Sequence, residues 1–583
     1  MFLLAVAALA AAVAAQSVSA AAAVAAQSVP AAAAAAIPLD FSALGVAYDG
    51  IGALSGGGGV TRLLIDYPPA LQADIFDILF KPKAGAALQI IKVELAGDTQ
   101  STEGTELSHS HFRGDLNCSR GYEWTVLKEA KARNPAIKTY GLSWGVPGWI
   151  GDASGGGQGF YSQDNIDYHL SWLDCAENTW GIEIDYMGIW NERGANPEWT
   201  VELRKALDSA GYLNTRIVSA DTDWAGPVND MTRIPAYDAA VDIIGAHYPG
   251  KPPAAAFALN KTLFASEMWN LGKVDDFSGA QTLMSDLIDQ ASWGLSASIV
   301  WCLIYSWYAI LPFSTVIDGT NAGAGHSILT AAEPWSGNYQ MNPPIYALAH
   351  HTQFAEPGWR YLAVGSPGMS ALPGGGAIVT RFNPHTPADV LEFSITLHTA
   401  GAGAAQDVVF SVAGGAAGRA LPAALAVWST NATASFVRLA DVPDGGGGTY
   451  ALSLAPDAFY SLTTAPAGQS GPAPVQPIPA SAPFPFPYSD DFDAYFDQAY
   501  AKYFSDEGGA FIVKPVPASF RRADGSAAAG GNAYFQLVTV IPIAWEKVAL
   551  TRSRLLARAN HRNSPTHPVP AALARRTRTR ILS

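Results

Sequence analysis

The sequence predicts an α/β protein, a (β/α)8 barrel followed by β-rich modules. Eight short apolar runs alternate with amphipathic stretches between residues 44 and 304. The runs are continuously apolar, so both faces of each strand are buried, the habit of a parallel sheet. Beyond residue 350 the helical periodicity stops, and short β-prone runs follow, separated by Gly, Ala and Pro turns.

Residues 1–36 are nearly all Ala, opening Met1-Phe2-Leu3-Leu4 with no Lys or Arg. The stretch reads as a signal peptide or low-complexity leader with small-residue cleavage options such as Val18-Ser19-Ala20. A membrane anchor is the competitor, disfavoured because poly-Ala is only marginally apolar. Residues 37–346 then form the barrel, with the first few free to join the next module. Its strands are expected at Gly45–Tyr48, Leu88–Leu95, Ile137–Leu142, Ile184–Trp190, Arg216–Ala220, Val241–Ala246, Thr262–Ala265 and Ser298–Ile304. Helical stretches intervene, among them Pro69–Phe80, Tyr122–Arg133, Asn165–Glu177, Pro197–Ala210 and Ala280–Trp293. A doubly wound sheet is the rival, but no Gly-x-Gly-x-x-Gly follows the first strand. The run Gly56–Gly59 lacks the Lys-Ser/Thr of a phosphate loop and reads as a flexible rim. Residues 347–464 are the β-sandwich, and 465–488, rich in Pro, Ala and Ser, a linker. A third segment spans 489–548. Residues 549–583 carry eight Arg in an otherwise acidic chain and read as a disordered basic tail or a gene-model artefact.

With 583 residues, two or three domains are expected. The net charge of −15 disfavours nucleic acid, which needs a cationic face. Sixteen Trp and twenty-two Tyr suit sugar stacking, although most such rings fill cores. Cys118, Cys175 and Cys302 allow at most one disulfide and have no metal-type spacing. His109 and His111 lack a third ligand at sensible spacing, so no metal is expected. Sequons begin at Asn117, Asn260 and Asn431. No stable membrane span is expected, and the leader points to the secretory pathway, with a lysosomal or vacuolar lumen or the extracellular space as destination.

Chemistry is sought where barrel strands end, because those ends converge on one mouth. The fourth run ends Trp190-Asn191-Glu192-Arg193 and the seventh Ala265-Ser266-Glu267-Met268-Trp269. Two carboxylates facing one cavity are what glycoside hydrolysis requires. One holds a proton for the departing oxygen, and the other, ionised, attacks the anomeric carbon. Asn191 can hydrogen-bond the sugar 2-OH, while Trp190 and Trp269 lower the local dielectric. His247 is expected as a hydrogen-bonding rim residue. No Gly-x-Ser-x-Gly elbow supports Ser-His-Asp catalysis.

Four stretches carry a resemblance to a known family. Asp185-Tyr186-Met187-Gly188-Ile189-Trp190-Asn191-Glu192-Arg193 and Ile244-Gly245-Ala246-His247-Tyr248-Pro249-Gly250 are similar to the galactosylceramidase family of retaining glycoside hydrolases. So are Glu333-Pro334-Trp335-Ser336-Gly337 and His351-Thr352-Gln353-Phe354-Ala355-Glu356-Pro357-Gly358-Trp359. The likeness runs from residue 45 to 365 and continues weakly to 546. It implies a barrel, a sandwich and a partial lectin-like C-terminal β domain at 489–548. It also implies a terminal β-galactosyl glycolipid as substrate, no cofactor, and a lipid-presenting activator protein as partner. Glu192 becomes the acid/base and Glu267 the nucleophile, while Thr102, Trp144, Asn191 and Trp301 fall on galactose-contacting positions. The chain departs from the family at Met268-Trp269-Asn270, at Phe313, and at Leu397–Ala400, where an Arg is missing. Most of the lectin-like domain, with the Trp it supplies to the site, is expected to be lost. Two other readings stay open: a retaining β-glycosidase on another glycan, and a non-catalytic secreted carbohydrate-binding protein.

Overall fold

The computed structural model describes residues 34–102, 104–151, 159–268, 276–306, 327–414, 418–465, 467–521, 525–526, 530–538 and 540–545. Residues 1–33 of the leader, the basic tail, Trp269, Asn270 and Phe313 lie outside them. Eight parallel strands close into a barrel. In chain order they are Gly50–Leu54, Ile90–Glu94, Lys138–Ser143, Tyr186–Trp190, Arg216–Thr222, Ile243–His247, Thr262–Met268 and Ala297–Trp301. Closure is made by the eighth strand on the first, Ala297 facing Gly50.

The first strand differs from the sequence expectation. Leu44–Ala47 is antiparallel to Arg360–Leu362 in an outer sheet, and the barrel begins at Gly50. Its burial pattern explains why: Gly50–Leu54 is buried at every position, whereas Leu44–Ala47 is half exposed. Continuous burial is the signature of the barrel strand.

The helices follow their local chemistry. Pro197–Ala210 opens with Asn196, whose side chain accepts from the Trp199 N–H, and with Pro197 at its first position. It closes at Gly211, whose φ of 94° is the left-handed turn that stops a helix. Trp199, Leu203 and Leu207 form its buried stripe.

Beyond the barrel, two sheets share one core. One is formed by Ala35–Leu39, Gln406–Val412 and Thr449–Leu454. The other contains Ala377–Phe382, Phe393–His398, Phe459–Thr463 and Ala424–Asn431. Phe41 joins them, its ring 5.6 Å from Phe382 and 5.1 Å from Phe393. The Pro-rich stretch lies along the barrel: Trp335 Nε1 donates to the Ala482 carbonyl, and Glu333 accepts from Ser481 and the Ala482 N–H. Among the described residues, the C-terminal segment holds one hairpin, Phe511–Pro515 with Asn532–Gln536. It rests on the barrel through Ala510 and Ile512 against Leu107. Cys118 and Cys175 form a disulfide. No described helix is long and apolar enough to cross a membrane.

Candidate active site

Three residues at the mouth share an unusual backbone. Glu192, Asp221 and Tyr248 have φ of 48°, 55° and 44°, left-handed values that non-glycine residues adopt at a cost of roughly 1–3 kcal/mol each. The register also slips beside Trp190, on both sides of Ala246, and between Ala265 and Met268. Such bulges re-aim side chains at barrel rims.

Glu192 and Glu267 come to one nitrogen. His247 Nδ1 lies 3.4 Å from Glu192 Oε1 and 3.6 Å from Glu267 Oε2. By the triangle inequality those two oxygens are no more than about 7 Å apart. That bound admits the ~5–5.5 Å spacing of retaining enzymes and excludes most of the ~6.5–9.5 Å range of inverting ones.

The two environments differ. Glu267 is buried; Tyr248 Oη donates to its Oε1 at 2.6 Å, and Lys92 Nζ stands 3.9 Å from its Oε2. Burial, then the Glu267 charge, hold the Tyr248 hydroxyl well above its ordinary range, so it remains a donor. The Glu192 side chain is 33% exposed, and His247 Nδ1 lies beside it at 3.4 Å.

Beneath them lies a charged core. Lys92, fully buried, donates to Asp221 at 3.1 Å and to the Ser266 carbonyl at 2.9 Å. Tyr140 donates to both Asp221 oxygens, at 2.7 and 2.8 Å, and His247 Nε2 lies 3.3 Å from Oδ1. Burial alone would push the Asp221 carboxyl up, but Lys92, His247 and Tyr140 together hold it well below the ordinary carboxylate range. A buried ammonium is tolerable only with such partners.

The remaining predicted residues gather nearby. Asn191 is buried, its N–H bonded to the Ser143 carbonyl, and its Oδ1 has no partner among the described residues. Trp144 and Trp301 belong to one buried cluster with Tyr140, Tyr186 and Phe264. Thr102 is half-buried beside the glycine run. That run is packed rather than a flexible rim. A Cβ on Gly56 would meet Trp144 at 3.0 Å, and one on Gly57 would meet Trp301 Nε1 at 3.3 Å and Thr102 Oγ1 at 3.6 Å. Gly57 has φ of 109°, and its N–H and that of Gly58 donate to Glu94 Oε2. Glycine is required here because aromatic walls close on the backbone.

Trp190 is stacked 3.9 Å from Phe160, and its Nε1 donates to the Trp144 carbonyl. The histidine pair is structural. His109 bonds Ser171 and His111 pairs with Asp98, and no group of three or more metal-type ligands occurs among the described residues.

Sequence reasoning missed Lys92, Asp221, Tyr140 and Tyr248. A lone Lys in the run Ile90-Ile91-Lys92-Val93 was the available signal, since a charge in a doubly buried strand needs an explanation. Trp545 was also missed. Ile543 bridges Val146, and Trp545 packs against the Trp144–Trp301 cluster with Arg193 5.8 Å over its ring. The C-terminal segment therefore does bring a Trp to the mouth, contrary to the expected loss.

A model of glycosyl hydrolase family 59 matches residues 48–353. A galactocerebrosidase of Salmo salar is 35% identical over 539 residues, covering 87% of this chain and 74% of its own length. The Homo sapiens galactocerebrosidase is 35% identical over 506 residues, covering 81% of this chain and 68% of its own. In fold, the catalytic domain of xylanase C from Talaromyces cellulolyticus superposes with a TM-score of 0.55 at 15% identity, covering 73% of this chain and 99% of that one. Barrel, paired carboxylates and sequence likeness agree: this chain belongs to glycosyl hydrolase family 59 and is a glycoside hydrolase.

Proposed function

We propose that the enzyme is a retaining β-galactosidase that removes the terminal galactose of a galactosylceramide-type glycolipid, with Glu267 as nucleophile and Glu192 as acid/base. The observation that carries this reading is the single nitrogen of His247 lying within 3.6 Å of both carboxylates. Their inequality supports the assignment of roles. Glu267 accepts from the Tyr248 hydroxyl and lies beside the Lys92 ammonium, and in this reading it attacks the anomeric carbon. Glu192, partly open to solvent, gives its proton to the departing oxygen and later takes one from water.

Asn191 Oδ1, buried and unpaired, accepts from the sugar 2-OH in this reading. Thr102, Trp144 and Trp301 line the galactose site, and Trp545 borders it. The galactocerebrosidase relatives support the lipid substrate. A galactosyl lipid sits in a bilayer, so a lipid-presenting activator protein is part of the proposal. So are entry to the secretory pathway and work in a lysosomal, vacuolar or extracellular space.

The test compares a chromogenic β-galactoside with a β-glucoside. Galactoside turnover should vanish in Glu267→Gln, by roughly four or more orders of magnitude, with the fold retained. Glu192→Gln should slow poor leaving groups roughly 100-fold or more, and activated ones far less. Substantial turnover by Glu267→Gln would remove the mechanism. Preference for the glucoside would remove the substrate.

A further inference from the structure

We propose that His247 is a positioning residue that stands as a cation between the two carboxylates and follows their single negative charge from Glu267 to Glu192 and back. This rests on the roles proposed above. In the first step a Glu267 oxygen bonds the anomeric carbon, the bond to the aglycone oxygen breaks, and the Glu192 proton goes to that oxygen. In the second, Glu192 takes a proton from water, the water oxygen bonds the anomeric carbon, and the bond to Glu267 breaks. Before either step the pair carries one negative charge, and after either step it still carries one. Only its location changes, from Glu267 to Glu192 in the glycosyl-enzyme and then back.

A fixed cation close to one carboxylate would favour one state and oppose the other. His247 Nδ1 is nearly equidistant, 3.4 Å from Glu192 and 3.6 Å from Glu267. The ring has no acceptor role to play. Nε2 faces Asp221 Oδ1 at 3.3 Å, and Nδ1 faces the other two carboxylates. A neutral imidazole has one N–H and one lone pair, so it would direct a lone pair at a carboxylate whichever tautomer formed. Only the imidazolium donates on both sides.

The groups facing the ring come from six elements. Asp221, Glu192 and Glu267 favour its charge; Lys92 opposes it. Tyr140 is turned onto Asp221 and Tyr248 onto Glu267. Burial pushes the imidazole down, yet Glu267, outweighing Lys92, together with the bonds to Asp221 and Glu192, leaves it above its ordinary value. Asp221, anchored by Lys92 and Tyr140, fixes the ring against rotation.

The experiment is the pH profile of kcat and kcat/KM on a β-galactoside for wild type, His247→Gln and Asp221→Asn. Removing the cation makes both carboxylates harder to ionise. In His247→Gln the whole bell therefore moves to higher pH, by about one unit, with at least a roughly tenfold fall at the wild-type optimum. Removing the Asp221 charge instead draws in the alkaline limb alone, to lower pH, because the imidazolium then loses its proton more easily and the cation-bearing form is the active one. If His247→Gln does not fold, the downward shift in Asp221→Asn is the deciding measurement. A bell that stays in place in a folded variant while kcat falls would assign His247 to packing and overturn the proposal. With Glu267→Gln still inactive, that outcome would leave the proposed function standing. An active Glu267→Gln would remove both.

Discussion

Two groups of buried acids sit beside the same barrel strand and behave in opposite ways. Lys92 and Glu94 are two residues apart, hence on one face. Lys92 enters the group of Asp221, Glu267, Glu192 and His247, where cations answer the carboxylates. Glu94 enters a second group with Glu106 and Glu123, all buried and none in an ion pair among the described residues. There burial pushes Glu94 up to about 7 against the Gly58, Gly57 and Ser101 donors. Burial and the neighbouring Glu123 and Glu94 push Glu106 well above the ordinary carboxylate range, and burial does the same to Glu123. Asp221 and Glu267 are as deeply buried as the second group, so burial is not what decides charge. The presence of Lys92 and His247 is. One group has cationic side chains beside its carboxylates; in the other, burial favours the protonated form, and Glu106 Oε2 and both Glu123 oxygens have no hydrogen-bond partner among the described residues.

The largest effect should come from breaking the ionic group. Lys92→Met takes the buried ammonium from Asp221, leaving His247 and Tyr140 beside it, and is expected to cost about 3–5 kcal/mol in denaturant unfolding at neutral pH. A loss below about 1 kcal/mol would mean that the ammonium is not the group's keystone.

Next is Glu94→Gln, which removes a titration from the protonated group. The Glu94 carboxyl is raised from 4.5 to about 7 in the folded protein. Its contribution is therefore complete below the unfolded value and disappears as pH climbs through the folded one. Stability of wild type relative to Glu94→Gln should grow by roughly 3 kcal/mol as pH falls from 7 to 4.5. The difference, rather than the wild-type curve, must be measured, because buried histidines have the opposite sign. Burial holds His109 and His350 down to about 3 and His169 to about 4, so they lose stability over the same descent. A pH-independent difference would refute the protonated state of this group.

The smallest effects sharpen the contrast. Tyr140→Phe removes one hydroxyl donor, shared between the two oxygens of an ionised carboxylate, and should cost about 2 kcal/mol at pH 5. Ser101→Ala removes a bond of 3.0 Å to a protonated one and should cost about 1 kcal/mol at the same pH. Equal costs, or the reverse order, would erase the distinction between the groups.

Much of the fold was legible beforehand. Pro69–Phe80 and Pro197–Ala210 end where the sequence expects them, because Pro and Gly punctuate them locally. The first barrel strand was misread because Gly50-Ile51-Gly52-Ala53-Leu54 carries two glycines in five positions, whereas the outer strand Leu44–Ala47 just before it carries one. Glu192 and Glu267 were found because each stands where an apolar run stops. Lys92 and Asp221 were not: each makes sense only beside the other, 129 positions apart.

The sequence alone determined the alternation that makes a barrel, the strand ends that carry two glutamates, and a family likeness spanning most of the chain. Tertiary structure decided the surroundings of those glutamates, by setting His247 between them, Lys92 and Tyr248 on one side only, and Trp545 at the rim. The physical reason is one of range. Strand and helix periodicity is written in neighbours along the chain, whereas charge compensation acts through space over a few ångströms, between residues that the sequence keeps far apart.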